Sequence, residues 1–320
     1  MKEFPASRTD GFPHGIIAGP DKDGNPNANL WFVVRTSQQI VRMTPEGIMT
    51  KFDINGPSAS NFVFQPYSIV VGPDGNLWFT EPYANRIVKM TPQGQTQSFT
   101  GVGRPYNIIA GRNGDLFFTT LSKKIGRITT YGEVSSIDIP DYPPSGIALD
   151  AEGRLWYTTT GGATIVRMNT QDGTTKTFSL PKGSSPMEII AGPDGNMWFT
   201  NATWLDEDRG IGRITPDGTT TLWKTGGGGA SIGIGPDGYI WLTNGKSPGA
   251  LMRFKPGNGP DSGSRQAFSM ITARSYFDSV TTGPGPDGKQ YLWAVDLPGQ
   301  VGMAIFCGSA DITMPPPLTR

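Results

Sequence analysis

His14 is the only histidine in the chain, standing in "FPHGI", and imidazole is the side chain that most readily exchanges a proton near neutral pH. It does so usefully only where other polar groups are brought to it. The chain offers Glu81, Asp278 and Asp296 as carboxylates that would fix its tautomer or share its proton. Tyr67 and Tyr106 stand in "QPYSI" and "RPYNI", which repeat the proline and isoleucine of "FPHGI". These residue types suit acid–base chemistry on a bound small molecule, with the phenols as donors. They lie far apart in sequence, so a fold must gather them.

That fold is legible in an internal repeat. "IVVGPDGNLWFTE" returns as "IIAGRNGDLFFTT", "IALDAEGRLWYTT", "IIAGPDGNMWFTN" and "IGIGPDGYIWLTN", and in longer form as "IIAGPDKDGNPNANLWFVV" and "VTTGPGPDGKQYLWAVD". The shared aromatic is Trp31, Trp78, Phe117, Trp156, Trp198, Trp241 and Trp293, at spacings of 39 to 52 residues. A second apolar run such as "RIVKMTPQG" and a closing run such as "TQSFT" follow. Asp-Gly and Asn-Gly between apolar runs favour tight hairpins, because both residues tolerate positive φ. Four short antiparallel strands per period near forty is the pattern of a propeller blade. The sequence therefore predicts one all-β domain over 1–320, a seven-bladed β-propeller of four-stranded antiparallel blades. Blade cores fall near 14–54, 67–100, 106–139, 145–180, 187–225, 230–270 and 278–314, with the N-terminal "KEFPAS" strand closing the last blade. The recurring tryptophans read as packing between blades; only Trp204 and Trp223 stand outside the pattern.

Strand direction places the start of each first strand and the end of each second strand on one rim. In blade order the first set is His14, Tyr67, Tyr106, Ser145, Met187, Ala230 and Asp278, with Ser68, Asn107 and Glu188 beside them. The second set is Val34, Glu81, Thr120, Thr159, Asn201, Asn244 and Asp296. A scaffold position repeats its residue, and these do not, so a polar, blade-specific site is expected here. His14, Asp278, Asp296 and Glu81 are the catalytic candidates. Tyr67, Tyr106, Phe64, Trp204, Phe277, Asn201, Asn244 and Glu188 are the candidates for binding substrate.

Composition narrows the classes. Lys+Arg and Asp+Glu are 27 each, with no basic aromatic cluster and no long apolar run, which argues against nucleic acid or membrane as partner. Cys307 is the single cysteine and reads as an inert strand residue; no multi-cysteine metal site is possible. Asn201-Ala-Thr203 matches a glycosylation sequon.

"GPDGNLWFTE", "NRIVKMTPQG" and the set "PHGI", "PYSI", "PYNI" together resemble the streptogramin B lyase (virginiamycin B lyase) family. The resemblance implies a propeller that opens a cyclic depsipeptide by elimination. It also implies Mg²⁺ held with rim glutamates, and a histidine general base on the last blades, in E-P-H-G-I followed by F-x-x-E. Here Phe12 and Val34 stand where the two glutamates would be, and a second rim histidine has no counterpart. The antibiotic-opening activity is not carried over, and no cofactor is expected. The chain is also similar to fungal hetero-Diels–Alderases of tropolone–sesquiterpenoid assembly, which implies loss of water from a hydroxymethyl-tropolone and guided cycloaddition to a terpene. The expected function is metal-independent elimination on a small hydrophobic, partly aromatic molecule. Two alternatives stay open: a Ca²⁺-dependent lactonase using Asn201, Asn244, Asp296 and Glu81, and a non-catalytic binding propeller.

Overall fold

The computed structural model describes residues 2–5, 12–54, 65–139, 142–202, 209–225, 231–243, 250–256, 263–269, 276–297 and 300–304. Its strands pair antiparallel into four-stranded sheets. The repeats predict seven blades, the last closed by the N-terminal strand, and the count is corrected: the structure has six blades of four consecutive strands, over 13–53, 69–100, 105–138, 144–179, 186–224 and 232–269. The last repeat is not such a blade. It supplies Tyr276–Pro284, Gln290–Leu297 and Gln300–Ala304, and Lys2–Pro5 pairs along Gln300–Ala304 to complete a composite sheet. The end of the predicted 278–314 blade core, with Cys307, lies outside the described residues. Each innermost strand touches the next, and Pro13–Gly19 touches Tyr276–Pro284, so the sheets close a ring.

A sheet with one buried face and one polar face cannot line a ring on both sides, so both faces here must be apolar. The core accordingly sits in the gaps between sheets, one buried cluster per gap among the described residues. Trp31 fills the gap after the first blade beside Ile69, Leu77 and Phe79, and Trp293 fills the gap between the composite sheet and the first blade. Burying an indole ring of this size contributes roughly 4–6 kcal/mol of transfer free energy.

Each of these tryptophans stacks on an aromatic of its own outermost strand. The pairs are Trp31–Phe52, Trp78–Phe99, Trp156–Phe178, Trp198–Trp223, Trp241–Phe268 and Trp293–Phe4, with centroids 5.3 to 5.8 Å apart. Trp223, which the repeat leaves unexplained, belongs to this second series. Strand-three cations cover several of the rings, as Arg42 does over Trp31 and Phe52 at 5.7 Å to each centroid. Arg42 also donates to Pro92 O of the neighbouring blade at 3.2 Å. Gly94 in that neighbour's turn has φ of 96°, and a Cβ there would lie 2.5 Å from Phe52. Only glycine combines that backbone with that approach.

The third blade breaks both series. Phe117 replaces tryptophan, and the outermost strand offers Ile137, which is 43% exposed.

Phe4 is therefore what the N-terminal strand brings to the ring. Phe4→Ala should lower stability by about 3–5 kcal/mol in denaturant unfolding, whereas Tyr131→Ala, at a side chain 91% exposed, should be near neutral. Equal effects of the two would refute this role for the closing strand.

Candidate functional site

The innermost strands share an irregularity. Their pairing shifts register between Pro105 and Ile108, Pro144 and Ile147, and Pro186 and Ile189, and likewise between His14 and Ile16 and between Phe277 and Ser279. A bulge leaves a backbone N–H without a ladder partner. A threonine two residues after the shared aromatic supplies the acceptor. Ser68, Asn107, Gly146, Glu188 and Ser231 donate their N–H to Thr80, Thr119, Thr158, Thr200 and Thr243 Oγ1 at 2.9 to 3.1 Å. The hydroxyls then tie blade to blade, Thr80 donating to Tyr106 O at 2.6 Å and Thr119 to Ser145 O at 3.1 Å. All five threonines are fully buried. In the first blade and the composite sheet the equivalent residues are Val33 and Val295.

The bulges deliver the site. His14 Nδ1–H donates to Asp278 Oδ2, joining the first blade to the composite sheet. An ionised carboxylate only accepts, so Nδ1 carries the proton of this bond and Nε2 is the ring nitrogen turned away from Asp278. The side chains are 17% and 15% exposed, within reach of a ligand but largely shielded. The His14 ring lies 4.4 Å from that of Tyr67, which stacks on Tyr106 at 4.1 Å. The two phenol hydroxyls share a hydrogen bond. Burial pushes both phenols above their ordinary range, so each remains a donor.

Glu188 stands on the fifth blade, where Asn107 Nδ2 donates to its Oε1 at 3.4 Å. Burial pushes its carboxyl up to about 7; His14 opposes the rise, Asp278 adds to it, and Asn107 opposes it. Gly146 permits this approach, since a Cβ there would fall 2.8 Å from Glu188 Cα. Arg35 lies with its Cζ 5.3 Å from the Tyr67 ring centroid. Its Nη2 donates to Gln65 Oε1 at 3.4 Å, while its Nε is buried without a hydrogen-bond partner.

The structure thus gathers His14, Asp278, Tyr67, Tyr106 and Glu188 from the sequence candidates. Asn107, already noted on the rim, joins them as a direct partner of Glu188. Arg35 and Gln65 were missed; the signal for Arg35 was a cation directly after a second strand, beside a rim aromatic.

The second-strand ends behave differently. Glu81 is fully buried and pairs with Arg86 across its own hairpin. Thr120 Oγ1 accepts from Lys124 N at 2.9 Å, and Thr159 bonds Thr164 at 2.7 Å. Asn201 is 5% exposed and its Oδ1 accepts from Ser185 N at 2.8 Å, which puts the sequon asparagine inside the fold. Asp296 and Phe277 pair through their backbones at the strand ends; their side chains lie outside the described residues, as do Phe64, Trp204 and Asn244.

The positions where the resemblance implies magnesium ligands hold Phe12, which is 48% exposed, and Val34, which is buried. Neither has an oxygen to offer. Among the described residues no group of three His, Cys, Asp or Glu side chains converges on a common point. The residues at these positions do not fit that ion.

Glu188 carries a pH signature. Its folded carboxyl keeps a proton that the unfolded chain loses near 4.5. The stabilising difference is complete below that value and disappears as pH rises through about 7. Glu188→Gln stays neutral throughout. At pH 8 it should be more stable than the parent, by at most about 3.5 kcal/mol at about 1.4 kcal/mol per pH unit, with no advantage at pH 4. Chemical denaturation across that pH range checks this, and a variant less stable at pH 8 would contradict it.

Comparison with known proteins places this geometry. Residues 62–257 match the virginiamycin B lyase family model. A 108-residue segment is 32% identical to virginiamycin B lyase of Nocardia farcinica (strain IFM 10152); it covers 33% of this chain and 36% of that protein, about a third of the curated relative. The crystal structure of virginiamycin B lyase from Staphylococcus aureus superposes with a TM-score of 0.79 at 24% identity, over 94% of this chain and 97% of that one. A streptogramin B lyase structure gives 0.77 at 26% identity, over 95% and 97%. A catalytically inactive Staphylococcus aureus variant with quinupristin gives 0.79 at 25%, over 94% and 97%. A gluconolactonase-type structure gives 0.54 at 15% identity, over 96% and 94%, a likeness of fold alone. The matched residues include Tyr67, Tyr106, Asn107 and Glu188, whereas His14 and Asp278 lie outside them. On the extent of that match, the chain belongs to the virginiamycin B lyase family.

Proposed function

We propose that this chain is a lyase-type enzyme that removes a leaving group from a small, partly aromatic molecule by proton transfer between its own side chains. The observation that carries this reading is the His14–Asp278 pair set beside Glu188, with the stacked Tyr67 and Tyr106 alongside. Elimination needs a base at carbon and an acid at the departing oxygen. His14 Nε2 takes the proton from carbon, and the C–H electron pair becomes the new C=C bond. The C–O bond breaks, and neutral Glu188 gives its proton to the oxygen, which leaves as water or alcohol. Asp278 holds the resulting imidazolium, while the phenol hydroxyls and the Arg35 Nε–H stabilise negative charge that develops on the substrate. The base then returns its proton to solvent and Glu188 regains one, so the site resets without net change.

The ring faces at this site favour a flat or aromatic substrate. Where loss of water from a hydroxymethyl arene leaves a heterodiene, cycloaddition to an apolar alkene held at the same site extends the reading without a further catalytic group. Quinupristin and a hydroxymethyl-tropolone are the two probes that separate depsipeptide opening from dehydration.

Turnover of either probe, followed by mass spectrometry, should fall by about 10²–10⁴ in His14→Ala and by at least tenfold in Asp278→Asn, with thermal midpoints near that of the parent. Tyr67→Phe should lose less. Activity should survive prior treatment with chelator. A reaction that depends on added Mg²⁺, or one that His14→Ala leaves intact, would overturn the assignment.

A further inference from the structure

The residue that follows each rim position lies on the bulge and faces the next blade. Ser68 Oγ accepts from Ile108 N at 3.3 Å, and Ser279 Oγ accepts from Ile16 N at 3.4 Å. Each serine satisfies a neighbouring backbone donor, which is a scaffold task. Asn107 holds the same position in the third blade, and its side chain does something else. Its Nδ2 donates to Ser145 O of the fourth blade at 3.1 Å and to Glu188 Oε1 of the fifth at 3.4 Å. A serine hydroxyl, with one hydrogen, could not make both bonds.

The first bond fixes the amide. A backbone carbonyl only accepts, so Ser145 O requires Nδ2 rather than Oδ1 on its side. Thr119 Oγ1 donates to the same carbonyl at 3.1 Å and accepts from Asn107 N at 3.1 Å, which ties the backbone and the amide to one anchor. The second Nδ2 hydrogen is then available to Glu188. The fourth blade carries Gly146 at the equivalent position, where a Cβ would fall 2.3 Å from Met187 O, so it adds no side chain to this series. A neutral carboxyl has one carbonyl oxygen and one hydroxyl oxygen. The oxygen that takes the Asn107 hydrogen is the carbonyl one, and the acidic proton falls to the other.

We infer that Asn107 is a positioning residue for the elimination, holding Glu188 with Oε1 as acceptor and the transferable proton on Oε2. This rests on the reading of Glu188 as the acid. The titratable groups around that carboxyl are His14, Asp278, Tyr67 and Tyr106. Among the described residues, Asn107 is the side chain hydrogen-bonded to it.

The test is infrared titration of the full chain, with the Glu188→Gln spectrum subtracted to isolate the protonated carboxyl of Glu188. Asn107→Ser installs the residue that the second blade already carries, so it should fold normally. Asn107→Asp keeps the shape and puts an acceptor where the donor was. Loss of the donor withdraws support from the ionised carboxylate. The midpoint, about 7 in the parent, should therefore rise by about one pH unit in Asn107→Ser and further in Asn107→Asp. With either probe, kcat should fall by about 10–10²-fold while KM stays within about twofold. The alkaline limb of the pH profile should move upward with the infrared midpoint. A midpoint unchanged in both variants, or kcat at the parent level, would overturn the positioning role. The infrared measurement needs no substrate, so its failure is distinct from activity that survives His14→Ala, which strikes the wider reading instead.

Discussion

The constraint on which the molecule rests is the need to fill each wedge between neighbouring sheets. Sheets arranged around an axis diverge outward, so a gap that is narrow at the innermost strand widens toward the rim. An indole on the second strand, backed by a ring on the fourth, spans that widening space. The strand-three cation covers the rings and reaches the next blade's turn carbonyl, as Arg42, Lys89 and Arg167 do. Packing and polar satisfaction are thereby met by the same few positions in nearly every blade. Positions that are fixed by this demand are unavailable for chemistry, and the departures from them are where ligand-directed features become possible.

Two departures stand out. At the third blade the indole and its outer ring are both missing, and the wedge stays partly open. At the ring closure the threonines that satisfy the bulged backbone elsewhere give way to Val33 and Val295. The backbone there is supported differently: Ile16 N donates to Ser279 Oγ at 3.4 Å. The residues carried by those two bulges, His14 and Asp278, bond to each other across the seam. Elsewhere a buried hydroxyl links successive bulges; at the seam a titratable pair does so at the edge of the channel.

The repeat was legible because its signals are local. Asp-Gly turns, alternating apolar runs and an aromatic at fixed offset each report on a few neighbouring residues. The second aromatic series was harder to see, because Trp223 and Phe4 lie in short runs whose spacing from the first series varies. The site was legible in part. The first-strand starts differ between blades, and that variation pointed to His14, Tyr67, Tyr106 and Asp278. The second-strand ends also differ, but for another reason: Glu81, Thr120, Thr159 and Asn201 each hold the backbone or a neighbour with whatever polar atom suits the local turn. Variation alone does not separate a ligand-facing ring from a set of individually solved turns. Glu188 shows what the bulge adds. Strict alternation would turn the residue after Met187 away, whereas the register shift between Pro186 and Ile189 lets Glu188 meet Asn107.

The closure also explains why an acid–base pair is tenable at this seam. His14 and Asp278 are separated by 264 residues in sequence, so loop-closure entropy opposes their meeting in the unfolded chain. Their contact spans the seam where Pro13–Gly19 packs against Tyr276–Pro284, and Phe4 stacks on Trp293 at the same closure. The apolar cluster formed by Phe4, Ile16, Leu30, Tyr291 and Trp293 supplies the driving force for that step. Two polar side chains by themselves would return little net free energy for being desolvated together. Burial of rings at the outer part of the wedge therefore sustains a partly shielded imidazole and carboxylate at its inner edge.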